Sequence, residues 1–275
     1  MIFRFLVIAT LVMVVFASDC HAQDVDIPRM ESLEEELRLR QRNTLLARMR
    51  IEQMFADERV QALARAAARG KKRVVARLVA EGVDVNSEGA QGVVPLFCAL
   101  RGSSLSGFEQ LLALGADPDR RFGQSSLIHW AARHRDSRFL ELLLEYGADP
   151  NLSAGHPPEP PLFKTIGVPG EGNRSSMLLL INAGADIDAV SGPFAIDGVP
   201  AGGQTPVMAA AEVMRFDTVY ELLMLGAKFD QKDDFGNSLG DRVVHFQGFP
   251  SGSKQAKYWQ DVVTWLKEHG VDLGL

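Results

Sequence analysis

One short motif recurs six times along this sequence, and the recurrence restricts the fold more than any other feature. Each copy is a glycine followed by alanine or valine, with an aspartate next in five of the six copies. The glycines are Gly82, Gly115, Gly147, Gly184, Gly226 and Gly270, at intervals of 33, 32, 37, 42 and 44 residues. A period near 33 residues predicts a row of repeated supersecondary units, and the longer intervals indicate insertions into the later units.

Apolar residues at fixed distances precede every one of these glycines. A leucine stands four residues before each glycine, and another apolar residue stands seven before it. The leucines are Leu78, Leu111, Leu143, Leu180, Leu222 and Leu266. Because side chains three and four apart lie on the same side of an α-helix, each unit is predicted to end in a helix with one buried face. The glycine then supplies the left-handed backbone conformation that ends the helix.

An earlier, shorter helix is predicted in these units. An alanine lies 16 residues before the glycine in four of them, as Ala66, Ala99, Ala131 and Ala210. Thr205-Pro206 comes shortly before the last of these alanines, and proline is favoured in the first turn of a helix. Small alanine side chains let the neighbouring helix approach closely. The unit is therefore predicted to be a helix-turn-helix.

A turn, a Thr-Pro-Leu-His-like first helix, a second helix with paired leucines and a Gly-Ala-Asp-x-Asn ending together resemble the ankyrin repeat. The resemblance implies an all-α ankyrin-repeat solenoid of about six helix-turn-helix units over residues 58–275. The expected units are 58–90, 91–122, 123–155, 156–201, 202–234 and 235–275. His129 stands where the family's histidine hydrogen-bonds to the adjacent turn. Lys267 replaces an apolar residue in the last unit, as an exposed end repeat requires.

The region before the repeats, residues 23–57, is expected to be a linker followed by a capping helix. Ser32 and Glu35 have the spacing of a capping box, and Leu33 begins an apolar stripe. The stripe loses its register near Asn43. This loss favours a cap on the first repeat, while a coiled coil and a helix for a partner remain alternatives.

The first residues have the features of an export signal. Arg4 gives a positive start, residues 5–17 are apolar, and small residues stand at the cut site, so residues 1–22 are predicted to be a signal peptide cut after Ala22. The mature chain would then be periplasmic or secreted. A lipid anchor at Cys20 and an uncleaved membrane anchor are the alternatives.

Charge is divided unevenly along the chain. Residues 29–77 carry 13 basic and 7 acidic side chains, whereas residues 78–275 carry 15 and 25. Basic clusters attract nucleic acid or anionic lipid. The candidates for such a cluster are Arg65, Arg69, Lys71, Lys72 and Arg73. Export and the acidic charge of the rest of the chain argue against nucleic-acid binding by this cluster. The cluster is therefore more simply explained as the solvated face of a helix.

Two patterns suggest chemistry, and neither is complete. Ser238 lies in a Gly-Asn-Ser-Leu-Gly sequence that matches a hydrolase nucleophile motif, but a polar stretch precedes it where that motif needs an apolar strand. His129 and His134 lack the glutamate of zinc proteases, and the mature chain would hold Cys98 alone, as a buried and inert thiol. We therefore expect a non-catalytic protein without metal, cofactor or small-molecule substrate. A serine hydrolase is the alternative from another functional class.

The ankyrin resemblance implies a partner-binding surface on the concave side, made by the turn tips and the exposed positions of the first helices. The candidate residues are Arg101, Arg121, Phe122, Gln124, Arg133, His134, Gln204, Glu212, Phe235 and His245. The long loop of residues 189–204 adds Phe194 and Ile196, because apolar residues in a long surface loop often mark a contact.

The resemblance and the export signal together imply a periplasmic scaffold that binds an unidentified protein. One form of this hypothesis is an immunity protein that neutralises a secreted toxin. The alternative is an assembly or stress factor that binds periplasmic enzymes. The first predicts one tightly bound partner and the second predicts several.

Overall fold

A computed structural model describes most of the chain from residue 46 onward. The described residues are 46, 48–155, 158–167, 174–192, 195–196, 199–200, 202–246, 249–250 and 252–275. The predicted signal peptide, the Ser32–Glu35 capping box and Phe194 lie outside them. No helix within these ranges is long and apolar enough to cross a membrane.

Helices dominate the described residues, and they alternate in two rows. A single helical turn, α1 (Ile51–Met54), comes before them. The first helices of the units are α2 (Glu58–Ala68), α4 (Pro95–Arg101), α6 (Leu127–Ala132), α8 (Leu162–Thr165), α10 (Pro206–Glu212) and α12 (Leu239–His245). The second helices are α3 (Lys72–Ala80), α5 (Leu105–Ala113), α7 (Arg138–Glu145), α9 (Arg174–Asn182), α11 (Phe216–Met224) and α13 (Lys254–Glu268). The all-α solenoid of six helical pairs that the repeats predicted is confirmed.

Every second helix ends in the same hydrogen-bonded turn. The six motif glycines have φ between 84° and 93°. The residue after each glycine donates its N–H to the carbonyl of the leucine four residues before the glycine; Ala148 N, for example, lies 2.9 Å from Leu143 O. A Cβ at Gly147 would meet nothing within 4 Å, so the glycine is needed there for its backbone conformation and not for space.

Side chains of the turn motif join each unit to the next. Asn86 donates from Nδ2 to Gly115 O at 3.0 Å and accepts from Asp117 N at 2.9 Å. Asn151 makes the same pair of bonds to Gly184 O and Asp186 N, at 3.1 and 2.8 Å. Asp119 accepts from Asp149 N and Asp188 accepts from Lys228 N, at 2.8 and 2.7 Å. We call this series the turn ladder; it crosses the first four junctions between units.

The core is continuous along the stack. Five of the six motif leucines are fully buried and the sixth, Leu78, is 8 % exposed. Phenylalanines pack edge to face across the second helices, as Phe108 and Phe139 do with ring centroids 5.1 Å apart. Repeats of this kind are stabilised by stacking on their neighbours, because no single pair of helices can bury its apolar face alone.

Two small antiparallel sheets were not predicted. β1 (Arg121–Phe122) pairs with β2 (Ser125–Ser126), and β3 (Ala195–Ile196) pairs with β4 (Val199–Pro200). Each strand has two residues, too short for an alternating apolar pattern to register in the sequence. The first sheet forms the tip of the turn before α6.

Candidate protein-binding surface

The first helices stack on one another, so equivalent positions on them form rows across the molecule. The seventh residue after the helix N-cap is Arg101 on α4, Arg133 on α6, Glu212 on α10 and His245 on α12. We call the surface that contains this row the first-helix face. Arg133, Glu212 and His245 are exposed on it, whereas Arg101 is half-buried. These four residues were all predicted to contact a partner.

The β1–β2 hairpin and the C-terminal end of α6 contribute basic and polar groups to this face. Arg121 at the hairpin and Arg133 are exposed, and Gln124 is half-buried. Phe122, which the sequence placed at the surface beside arginine, is only 2 % exposed. Its ring packs 4.7 Å from that of Phe97, because the two-residue strand of the hairpin turns the side chain inward. The prediction that Phe122 is exposed to a partner is therefore wrong.

His134 has a fixed position between the second and third repeats. Its Nδ1 accepts from Asp136 N at 3.1 Å, which leaves Nε2 to donate to Ser103 Oγ at 3.3 Å. The ring also packs edge to face on Phe139, with centroids 4.6 Å apart. His134 thus shapes the face as well as lining it.

His129 is a structural histidine, as the ankyrin resemblance implied. It is 2 % exposed; Nδ1 accepts from Ser126 Oγ at 2.7 Å and Nε2 donates to Glu159 O at 2.8 Å. Burial lowers the pKa of His129 to about 4, even though the bond to Glu159 opposes the shift. The neutral ring joins the third repeat to the fourth.

A cleft of about 230 Å³ opens between the fifth and sixth repeats. It is lined by Glu212, Asn237, Asp241, Arg242, His245 and Phe246. Arg242 forms ion pairs with both Glu212 and Asp233, and the Asp233 side chain is fully buried. Asp233 also accepts from the backbone N–H groups of Phe235 and Asn237, at 3.0 and 2.8 Å. The cleft therefore has a rigid floor that mixes both charges.

Of the residues that line this cleft, Glu212 and His245 were predicted from the sequence as partner contacts, whereas Arg242 was not. Arg242 is the fourth residue after its helix N-cap, a position held by Trp130 on α6 and Ala209 on α10. The periodic signal at this position is weak because the residue type changes in every unit. The sequence therefore carries no repeat signal that singles out Arg242.

The remaining predicted contacts lie near the long loop. Phe235 is 53 % exposed at the turn tip before α12. Gln204 closes the base of the 189–204 loop, donating its N–H to Ser191 Oγ at 3.1 Å and accepting from Ser191 N at 2.8 Å. Ile196 lies in β3, and its side chain is outside the described part of the chain.

Ser238 is a helix cap. Its Oγ donates to Asp241 Oδ2 at 2.6 Å and accepts from Asp241 N at 3.3 Å, in a capping box. The hydrogen bonds from Ser238 lower the pKa of the Asp241 carboxyl, which makes it a weaker base. The turn before Ser238 carries no strand. A nucleophile elbow needs both a base and a preceding strand, so this geometry lends the hydrolase alternative no support.

The described residues also contain no group of three or more His, Cys, Asp or Glu side chains arranged to hold a metal ion. Cys98 is 1 % exposed, and burial raises the pKa of its thiol to about 12. A thiol of that pKa has almost no thiolate at neutral pH, which makes it inert, as the apolar sequence around it predicted.

Comparison with known proteins gives a consistent result. Residues 63–154 match the family model described as ankyrin repeats (3 copies). One similar solved structure is the ankyrin repeat domain of Bcl-3, described as a unique member of the IkappaB protein family. It is 23% identical to this chain with a TM-score of 0.61, and the match covers 77% of this chain and 86% of that domain. An ankyrin repeat domain from Acinetobacter baumannii AYE is 17% identical with a TM-score of 0.60, covering 76% and 98%. No curated protein matches the chain in sequence.

Proposed function

We propose that this chain is exported and binds one protein partner across its first-helix face. It is an ankyrin-repeat protein, and ankyrin repeats form a scaffold for protein–protein interaction. The observation that supports this proposal most is the row of equivalent positions. Arg133, Glu212 and His245 are all exposed on the same face of a continuously packed stack. Such a row presents fixed side chains at a regular spacing to a partner.

The charges along this face favour a partner with an uneven charge distribution. Arg121 and Arg133 are exposed basic residues on either side of α6, while Glu212 and Asp241 border the cleft at the other end. Asp233 and Arg242 neutralise one another beneath that cleft. A partner that places an acidic segment over the third repeat and a basic or polar one over the cleft would match both ends.

Export is part of the proposal and rests on the leading sequence. The apolar residues 5–17, after a basic start at Arg4, support a cleaved signal. N-terminal sequencing of the chain purified from the periplasm is expected to begin at Gln23. A chain that retains its first residues in the cytoplasm would contradict the proposed location.

Within this function, an immunity protein and an assembly factor differ in the number of partners. An immunity protein neutralises one toxin and would retain one protein in stoichiometric amount. An assembly or stress factor for periplasmic enzymes would retain several. We propose the immunity form first, because a rigid face with a fixed charge pattern suits one partner better than many.

Affinity capture from a periplasmic extract tests the proposal. The wild-type chain is compared with Arg133→Glu, which reverses a charge on the first-helix face, and with Arg73→Glu, which reverses an exposed charge on the second helix of the first repeat. We expect Arg133→Glu to lose the captured protein and Arg73→Glu to retain it. Equal capture by both variants would contradict binding through this face.

A further inference from the structure

The first-helix face is not open along its whole length, because the chain itself covers one end. Residue 46 and residues 48–55, which we call the strap, precede the first repeat. Leu46, Met54 and Phe55 are at most 2 % exposed, although they lie outside the repeats. Side chains buried to this extent must be packed against the repeat stack.

The strap contacts the first helices of two repeats at once. Glu52 forms an ion pair with Arg65 on α2. The carbonyl of Phe55 accepts from Gln61 Nε2, also on α2, at 2.8 Å. On α4, Cys98 Sγ lies 3.7 Å from Met54 Sδ. A segment that reaches α2 and α4 together lies across the first-helix face and not only on the end of the stack.

Arg101 holds the strap by its backbone. Its Nη1 donates to Leu46 O at 3.2 Å and also to Met49 O. Helical backbone is present at residues 46 and 48 and absent at residue 49, so Leu46 O lies at the end of a helix and Met49 O directly after it. The last carbonyls of a helix have no partner within it, and a cation there also interacts well with the helix dipole.

Equivalent positions show how much of the face the strap covers. Arg133, Glu212 and His245 share the row position of Arg101 and are exposed, whereas Arg101 is half-buried under the strap. One helical turn earlier, Cys98 is 1 % exposed. Trp130 and Ala209, which hold the position of Cys98 in later units, are each partly exposed. The cover is thus confined to the start of the row.

A close approach at Gly89 fixes the other end of the strap. A Cβ at this position would lie 2.2 Å from Met54 O and 2.8 Å from the Phe55 ring. The φ of Gly89 is −109°, which any residue can adopt. Glycine is therefore required because the strap backbone passes directly over it.

We propose that the strap is an intramolecular ligand of the first-helix face, which covers that face over the first two repeats and leaves it open to a partner from the third repeat onward. A partner that needs the first two repeats must displace the strap. That the open part of the face binds a partner rests on the proposed function, whereas the contact of the strap with the first two repeats does not.

Cys98 provides a direct test, because Met54 covers its thiol. The chain has two cysteines, so Cys20→Ser leaves Cys98 as the only one. In this background, the rate of Cys98 modification by a disulfide reagent such as DTNB is measured for Arg101→Gln and for Leu46→Asp. The first variant replaces the long, charged donor to the strap with a shorter neutral one, and the second changes the strap without altering the repeats. Arg133→Gln is the matched control, at the same row position beyond the strap.

We expect Cys98 to react about tenfold faster or more in Arg101→Gln and in Leu46→Asp. Local opening of the strap exposes the thiol in these two variants while the repeats stay folded. The thermal midpoint measured by circular dichroism should stay within a few degrees of the parent value, and Arg133→Gln should react at the parent rate. Unchanged rates in both strap variants would overturn the proposal. So would faster reaction that accompanies global unfolding, or equal acceleration in Arg133→Gln.

This measurement needs no partner, so its result is separate from that of the capture experiment. Faster labelling without a captured protein would support the strap and count against the binding function. A captured protein without faster labelling would support the binding function and count against the strap.

Discussion

The junctions between the first five repeats differ from the junction between the fifth and sixth. At the first four junctions, an Asn or Asp of one turn bonds to the backbone of the next turn. At the fifth, Asp230 makes no such bond within the described chain, and Lys228 stands where the other turns have aspartate. Here the ion pairs of Arg242 with Glu212 and Asp233 connect the repeats.

The difference shows that one architecture uses two kinds of junction. The turn ladder consists of small, exposed hydrogen bonds that recur with the repeat. At the last junction the ion pairs centre on Arg242, and its pair with Asp233 is buried while its partner Glu212 is exposed. Buried pairs are costly to break from one side, while single exposed hydrogen bonds contribute little each.

The largest effect is expected for Arg242→Ala. It leaves the buried Asp233 carboxylate without its cation, which should destabilise the sixth repeat by about 3 to 5 kcal/mol. Hydrogen exchange should show α12 and α13 losing protection before the first four repeats. The double variant Arg242→Met with Asp233→Asn should recover much of the loss, and its failure to do so would contradict a charge-based explanation.

Deleting a motif leucine should cost about 2 to 5 kcal/mol, since Leu143→Ala opens a cavity in a fully buried site. Leu143 lies in a repeat with a neighbour on either side, whereas Leu266 lies in the sixth repeat, which packs on one neighbour within the described residues. Denaturant unfolding of Leu143→Ala and Leu266→Ala compares them. We expect the internal variant to lose more, and the opposite order would argue against stacking as the source of stability.

Acid should weaken the junction between the third and fourth repeats. The pKa of His129 is about 4 in the folded chain and about 6.5 when exposed, so the unfolded chain binds the additional proton between these values. Stability is therefore complete above pH 6.5 and falls as the pH approaches 4, by about 2 kcal/mol at pH 5. The measurement is the difference in unfolding free energy between pH 7.5 and pH 5. His129→Asn should show a smaller difference, and an identical one would exclude His129 as the cause.

The smallest effect is expected in the turn ladder. Asn151→Ala removes the bonds to Gly184 O and Asp186 N, at an expected cost of about 1 to 2 kcal/mol. Asp230→Ala, at the fifth junction, should change the unfolding free energy by less than about 0.5 kcal/mol. Equal costs for these two variants would remove the contrast between the two kinds of junction.

The sequence predicted the features that recur and missed those that occur once. Glycine and leucine spacing was enough to predict the helical pairs, because the same local bonds form in every unit. Arg242 and Asp233 were missed because their pairing depends on the packing of α12 against α10, which leaves no period in the sequence. Phe122 was misjudged for a related reason, since a two-residue strand turned its ring inward.

The candidate surface was predicted only in outline. The row position of Arg133, Glu212 and His245 follows from the repeat register and could be counted from the sequence. The cover over Arg101 could not, because it depends on contacts between α4 and a segment about 50 residues earlier. Contacts at that separation carry no local signal.

Site-specific photo-crosslinking in the periplasm shows which face of the chain touches its partner. A photoreactive residue replaces Arg133 or His245 on the first-helix face, or, away from it, Arg73 on α3 or Tyr146 at the C-terminal end of α7. The proposed binding mode predicts one protein adduct of the same mass from the first two positions and none from the others. An adduct from Arg73 or Tyr146, with none from Arg133 and His245, would contradict it.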